Sequence, residues 1–338
     1  MDDKSFKSSK EYVLKKSNSL DNWPEIRGYN VEEEFNLENF LKSLTTTGQQ
    51  ATELGKAIEI TKSMRRDNAT IFLGFTSNAG TSGIREYITY LFKHQKVHVG
   101  CTTVGAIEED IIKCFKPFVI GDFRANGAQL REEGINRTGN IFIPNDRYVY
   151  FDKFMRQFLE RLFKFQQETG EIIGVKEFVY ELGRELELQE VENREESFTY
   201  WAYKNNLPFF CPSLLDGSLG DMVYFFKTEP KYKSFKIDTS EYIVQLTDLA
   251  LNCDKMGIIA LGGSVPKHAL ANAGLFRDGA EYCVYLNSGL EMEGSNAGAP
   301  IDEAVSWGKV KANSLSVKVE ADFSLTFPLL VLGGFKDN

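Results

Sequence analysis

The sequence predicts an α/β fold: a doubly wound, mostly parallel sheet flanked by helices, with an N-terminal helical arm. Short apolar runs recur between Ala69 and Leu286, and each is followed by a loop rich in Gly, Ser or Thr and then by a segment of helical periodicity. The runs are continuously hydrophobic rather than alternating, as strands covered on both faces are.

In chain order, residues 1–26 are rich in Lys and Ser with a short apolar string at Tyr12, Val13, Leu14 and Leu20. They read as a mobile arm holding one helical turn, and residues 27–338 as a single domain. Phe35, Leu37, Phe40, Leu41, Leu44, Leu54, Ile58 and Ile60 recur near helical spacing and are broken at T-T-T-G, which predicts two helices between Val31 and Met64. Residues 70–75 (T-I-F-L-G-F) are the first buried strand. T-S-N-A-G-T-S-G, at 76–83, turns from it into a helix through Ile84, Tyr87, Ile88, Leu91 and Phe92. Residues 97–103 form the second strand, before V-G-A-I-E-E-D-I-I-K-C-F, and residues 208–211, 256–261 and 282–286 repeat the pattern. Pro300, followed by Asp302 and Glu303, starts one more helix of about ten residues, because Pro is tolerated in a first turn and carboxylates favour the positive end of the dipole.

Composition bounds the function. The chain has 338 residues, 42% hydrophobic and 26% charged, enough for a sizeable core. No apolar run approaches the ~18 residues of a membrane span, and M-D-D-K-S-F-K is no signal-peptide start, so a cytoplasmic protein is expected. A net charge of −9 argues against nucleic-acid binding and suits a cationic ligand or a basic partner protein. Cys101, Cys114, Cys211, Cys253 and Cys283 are scattered without a C-x-x-C pair, which reads as reduced thiols rather than disulfides or a metal site.

Sheets of this kind bind ligands at the carboxyl ends of their strands. Two loops there, 76–83 and 261–268 (L-G-G-S-V-P-K-H), offer hydroxyls, glycines and free N–H groups suited to a phosphate. Neither is G-x-G-x-x-G, and each alone reads as an ordinary tight turn. Glu108, Glu109, Asp216, Asp221 and Glu303 form a second constellation. Any one pair reads as helix-start carboxylates, yet several at one end of a sheet repel unless a cation joins them. On a helix, Glu303 and Trp307 share a face while Asp302, Ser306 and Lys309 line the next stripe. The plain reading is a capped helix with a buried Trp and a solvated Lys; the sharper one is a carboxylate, an indole and an amine around a small cation. His268 follows Lys267 at a helix start in a candidate ligand loop, whereas His94 and His98 read as surface residues.

E-A-V-S-W-G-K at 303–309, with G-S-N-A-G-A at 294–299 before it, resembles the active-site signature of the deoxyhypusine synthases. The resemblance extends from R-G-Y-N at Arg27 to F-P-L-L at Leu330. It implies a Rossmann-like domain, NAD as cofactor, spermidine as substrate and the eukaryotic translation initiation factor 5A precursor as acceptor. It places a covalent imine on Lys309 and makes His268 the base. It lines the cofactor site with Ser77, Asn78, Thr81, Thr103, Gly105, Glu109, Asp216, Gly263, Ser288, Gly289 and Asp322. Spermidine falls to Glu108, Glu109, Asp221, His268, Gly294, Ser295, Asn296, Glu303 and Trp307. It further implies a homotetramer built as a dimer of dimers, or a heterotetramer with a paralogue, with sites at subunit interfaces and an N-terminal helix able to cover a neighbour's entrance. Asn296, where the family often has Asp, with Phe323, Val104, Ala269, Pro266 and Ser264, departs from the family pattern. A regulatory paralogue and a homospermidine synthase, which hands the same group to putrescine, are the competing readings.

Overall fold

The computed structural model describes residues 9–336. Its strands are β1 (Thr70–Phe75), β2 (Val99–Thr102), β3 (Val119–Ile120), β4 (Ile135–Thr138), β5 (Ile141–Pro144), β6 (Ile173–Gly174), β7 (Phe209–Phe210), β8 (Ile237–Asp238), β9 (Met256–Leu261), β10 (Ala280–Asn287) and β11 (Val310–Glu320). Six of them form one sheet in the order β11-β10-β9-β1-β2-β7, and every pair in it is parallel. The chain begins in the middle at β1, winds outward through β2 to β7, then returns to the other side of β1 for β9, β10 and β11. That reversal opens a crevice between the carboxyl ends of β1 and β9.

Alternation within the buried strands feeds two cores. Ile71, Leu73, Phe75, Ile259, Leu261, Val284 and Leu286 face one way, into the larger core with Met64, Ile107 and Phe327. Phe72, Cys101, Ile258, Ala260, Cys283 and Tyr285 face the other way, toward Leu246 and Leu270. Both faces are therefore covered, as a parallel sheet requires. The predicted strands are present, β1 and β9 with the expected ends and β2, β7 and β10 with shifted ones. The long edge strand β11 escapes the apolar-run reading because V-K-A-N-S-L-S-V-K-V-E alternates polar and apolar, with only Val310, Val317 and Val319 buried. Its register slips against β10 between Ala280 and Tyr282, whose partners are Val310 and Leu315. Also unforeseen are the antiparallel trio β3-β5-β4 and the two-residue pair β6-β8.

The two helices expected before β1 are Leu37–Thr47 and Gln49–Arg66, parted at Gly48 with φ +95°. Ahead of them, residues 9–13 are helical and exposed, and residues 1–8 of the expected arm lie outside the described residues. Arg27 ties this segment to the domain: its N–H donates to the Thr46 carbonyl (2.9 Å) and its carbonyl accepts from the Thr46 hydroxyl (2.7 Å). Cys101, Cys114, Cys211 and Cys283 are buried thiols, and Cys253 is half-buried. No helix among the described residues is long and apolar enough to cross a membrane.

One buried ion pair joins the sheet-covering helices. Asp110, fully buried on the helix Val104–Phe115, accepts from Arg85 Nε (2.7 Å), the Ser197 hydroxyl (2.6 Å) and the Thr199 N–H (3.0 Å). Arg85 is itself only 3% exposed. Asp110→Ala leaves an uncompensated buried guanidinium and is expected to cost about 3–5 kcal/mol, read as a lowered denaturation midpoint; Asp110→Asn, which keeps the shape, is expected to cost less.

Candidate functional site

The crevice is lined first by the loop after β1. Ser77–Thr81 is a single helical turn, and the Ser77 hydroxyl lies 2.6 Å from that of Thr103, at the end of β2. A Cβ at Gly105 would sit 2.6 Å from Ser77 Oγ, so the hydroxyl pair needs glycine there. The backbone of this turn rests on the helix Val104–Phe115, since a Cβ at Gly80 would fall 2.7 Å from the Ala106 carbonyl oxygen. Lys113 holds it from below, its ammonium donating to the carbonyls of Gly80 (3.0 Å) and Ser82 (3.1 Å). Asn78 is exposed at the mouth, and Thr76 Oγ1 donates to its side-chain oxygen (2.6 Å).

Beside this turn lie the carboxylates. Glu108 and Glu109 are 6% and 8% exposed, unusual for glutamates on a helix. Glu108 accepts from the Leu219 N–H (2.8 Å) at the start of the helix Ser218–Thr228, which also carries Asp221. Glu109 accepts from the Thr81 hydroxyl. Burial pushes both carboxyls up, Glu109 to about 7 with the like charge of Glu108 adding to it, and Asp221 adding to Glu108. The charges of Glu109 and Glu108 also raise the half-buried phenol of Tyr148, after burial itself, to about 12. A cation entering this pocket relieves the mutual repulsion of three acids. Asp216 is exposed on the loop after β7.

Across the crevice the remaining expected cofactor positions stand in a row. Gly263 follows β9, Ser288 and Gly289 follow β10, and Asp322 follows β11, where its side chain caps the final helix by accepting from the Ser324 N–H (2.8 Å). A Cβ at Gly263 would meet Ala297 Cα at 2.3 Å. The Asn287 amide nitrogen, on a side chain 4% exposed, has no hydrogen-bond partner. Glycine cradles, paired hydroxyls and an idle buried donor at one switch point fit an extended dinucleotide. Of the departures from the family pattern, Phe323 and Val104 are buried in the larger core.

The signature segment differs from its sequence reading. Its helix is only Ile301–Ser306. The Gly308 N–H donates to the Val305 carbonyl and the Lys309 N–H to that of Ala304, both 2.9 Å, with Gly308 at φ +71°. This is a Schellman ending, which needs glycine at its left-handed position, so W-G-K is a helix stop rather than a helical stripe. Trp307 is consequently not buried but 64% exposed, with Lys309 Nζ 5.4 Å from its ring centroid. His268 lies close enough for the Lys309 charge to act on it, and burial followed by that charge lowers its pKa. Glu303 is exposed on this helix, and its charge acts on Lys267. Asn296 donates its side-chain amide to the Ser264 carbonyl (2.9 Å), while Gly294 and Ser295 are exposed at a loop tip. His94 and His98 are exposed, as expected, and the His98 ring also ties to the sheet, its Nδ1 accepting from the Ile71 N–H (2.8 Å).

The Lys309 turn and the carboxyl-end crevice do not meet within one chain. Lys309 precedes β11, and its carbonyl accepts from the Ala280 N–H (3.1 Å) at the amino end of β10. Pairing through Gly257 sets Tyr282 level with Ile71, so Lys309 starts roughly 25 Å along the strands from the level of Ser77. That is several times the reach of a lysine side chain. Tyr148, Asn287, Lys113 and Lys267 were not singled out as site residues from the sequence, because their roles depend on contacts between elements far apart in it.

Because Glu109 is raised on folding, the stability it confers is full below its ordinary pKa and is lost as pH rises from about 4.5 to about 7. Glu109→Gln is expected to leave thermal melting little changed near pH 5 and to raise Tm by roughly 2–4 °C near pH 8. Melting curves of the two proteins at both pH values check it.

The family profile described as Deoxyhypusine synthase matches residues 39–333. The chain is 46% identical over 326 residues to the "Probable deoxyhypusine synthase" of Methanocaldococcus jannaschii, covering 94% of this chain and 98% of that one. It is 40% identical over 364 aligned positions to the deoxyhypusine synthase of Arabidopsis thaliana, covering 99% and 96%. A crystal structure from Entamoeba histolytica assigned to deoxyhypusine synthase superposes with a TM-score of 0.65 at 27% identity, covering 92% of this chain and 96% of that one. The chain belongs to the deoxyhypusine synthase family.

Proposed function

We propose that this chain catalyses the NAD-dependent transfer of the 4-aminobutyl group of spermidine to a specific lysine of the eukaryotic translation initiation factor 5A precursor, releasing 1,3-diaminopropane and forming deoxyhypusine. The observation that carries the reading is the Schellman turn that sets Lys309 beside the face of Trp307 and within the electrostatic reach of His268. When bound, NAD supplies a two-electron acceptor that later returns the hydride. The residues around it do the rest. Glu108, Glu109 and Asp221 hold the ammonium end groups of spermidine, and Glu303 with the Trp307 face holds another part of its chain. His268, kept neutral by burial and by the Lys309 charge, takes the proton released on oxidation of the substrate. Lys309 attacks as a free amine and carries the aminobutyl group as an imine until the acceptor lysine displaces it.

The separation of Lys309 from the carboxyl-end crevice supports a site shared by two copies of the chain, within a tetramer. In such a site the crevice of one copy faces the Lys309 turn of the next, and enclosure between them protects the imine from water.

Incubation with NAD and spermidine, borohydride trapping and peptide mass analysis are expected to show an aminobutyl adduct on the Lys309 peptide. Lys309→Ala is expected to abolish the adduct and leave NAD binding intact; an unchanged labelling yield overturns the assignment. Lys309→Ala and Glu109→Gln, each inactive alone, are expected to regain part of the activity when coexpressed, since a mixed pair assembles one intact shared site. Activity is expected to fall on the acid side with a midpoint below the ordinary histidine range, a limb that His268→Ala removes along with most of the rate. Offered together, the precursor protein is expected to be labelled in preference to putrescine.

A further inference from the structure

Between β10 and the helix Ile301–Ser306 the chain runs through residues 288–300 with only one 3-10 turn, Glu291–Glu293. This is a long connection for a compact domain, and it carries Ser288, Gly289, Gly294, Ser295 and Asn296. It doubles back on itself. A Cβ at Gly289 would lie 2.9 Å from the Gly298 nitrogen, and one at Gly298 would lie 2.0 Å from the Leu290 carbonyl oxygen, so the neck admits only glycine. Beyond the neck the tip is open, with Met292 99% exposed and Leu290 62%.

Two lysines hold this loop from beneath. Lys267, 3% exposed, donates to the carbonyls of Asn296 (2.7 Å), Ala299 (3.1 Å) and Ala297 (3.4 Å), and its ammonium sits 4.2 Å from the Tyr285 ring centroid. An ammonium has three protons, and a four-residue span of one loop takes all of them. Lys318, with its side chain 7% exposed, bridges the neck by donating to the carbonyls of Gly298 (2.6 Å) and Gly289 (3.3 Å), and its third contact is Glu320 (3.0 Å). A buried ammonium is costly unless its protons are bonded, and here they bond almost wholly to one loop. Burial, and less strongly the like charge of Lys318, bring Lys267 down to about 8, so it stays charged at neutral pH. Lys267 also immediately precedes His268, and Asn296 is bonded to Ser264 at the start of the same helix.

We propose that Lys267 and Lys318 are positioning residues for the transfer reaction, Lys267 fixing the Gly294–Asn296 segment relative to His268 and Lys318 fixing the Ser288–Gly289 neck. What each segment binds rests on the functional reading above. The division of labour is specific: one ammonium sets the spermidine side of the loop, the other the cofactor side.

The test uses Lys267→Met and Lys318→Met in the full chain, since Met keeps the apolar stem and removes only the ammonium. Lys267→Met is expected to raise the spermidine KM about tenfold or more while NAD affinity changes less than about twofold. Lys318→Met is expected to show the reverse, with the larger loss in NAD affinity. In both, amide exchange is expected to quicken within 288–300 and not in β1 or β9. Unchanged KM, affinity and exchange overturn the proposal, as does exchange that rises uniformly through the chain with a lowered Tm, which marks the lysines as general stability residues. If the unmutated chain shows no spermidine-dependent turnover, the functional reading fails; faster exchange confined to 288–300 in the variants then still supports the clamp, and its absence overturns it.

Discussion

Strand-end loops of a parallel sheet leave the hydrogen-bonding lattice just where a ligand must be received, and their carbonyls then need donors from elsewhere. In this protein lysine ammonium groups supply them. Lys113 serves Gly80 and Ser82 on the loop after β1, Lys267 serves Asn296, Ala297 and Ala299, and Lys318 serves Gly289 and Gly298. A bound water could make similar bonds, but a tethered ammonium fixes the loop to the helix or strand that carries it. Each lysine is therefore a link between the rigid sheet and the irregular backbone that forms the crevice. Backbone closeness does the same work without charge, at Gly80 against Ala106 and at Gly263 against Ala297.

Rigid loops let the acidic pocket be held in an unfavourable state. Glu108 and Glu109 are adjacent on one helix and nearly buried, with Asp221 acting on the first and the oxygen of Tyr148 near both. Nothing about helix formation requires that arrangement, and the raised carboxyls oppose it above neutral pH. A cation entering there would relieve their repulsion, so energy withheld in folding would be available to binding. The second half of the site uses the opposite means. Trp307 and Lys309 lie on an exposed turn, and their geometry comes from one glycine in the left-handed region rather than from burial.

Much of the fold was legible because buried parallel strands are continuous apolar runs, and Thr70–Phe75 and Met256–Leu261 stand out as such. β11 did not, since an edge strand buries only alternate residues on part of its length and its Lys, Asn and Ser match a loop in composition. The crevice residues Ser77, Thr103 and Glu109 could be located once strand ends were known. Helical spacing alone carries the helix at 301 past its true end, because it places Gly308, two residues beyond, on a helical stripe, although W-G-K carries the C-terminal signal of a left-handed Gly. Lys267 and Lys318 were illegible as clamps: their partners are backbone carbonyls some 20 to 30 residues away, and a carbonyl has no letter in the sequence.

The position of Lys309 ties these points together. Lys309, placed before β11, sits at the amino end of the sheet, against Ala280, while the fold's crevice is at the carboxyl end. Lengthening the lysine's reach by any side-chain rotation cannot span that distance, and moving β11 would break its pairing with β10 along Tyr282 to Asn287. The exposure of Trp307 agrees with the proposed shared site, in which the indole would be covered only by a ligand and another copy of the chain. A single copy thus holds the crevice and the Lys309 turn at opposite ends of the sheet, and the proposed chemistry would need an arrangement of copies that brings the two together.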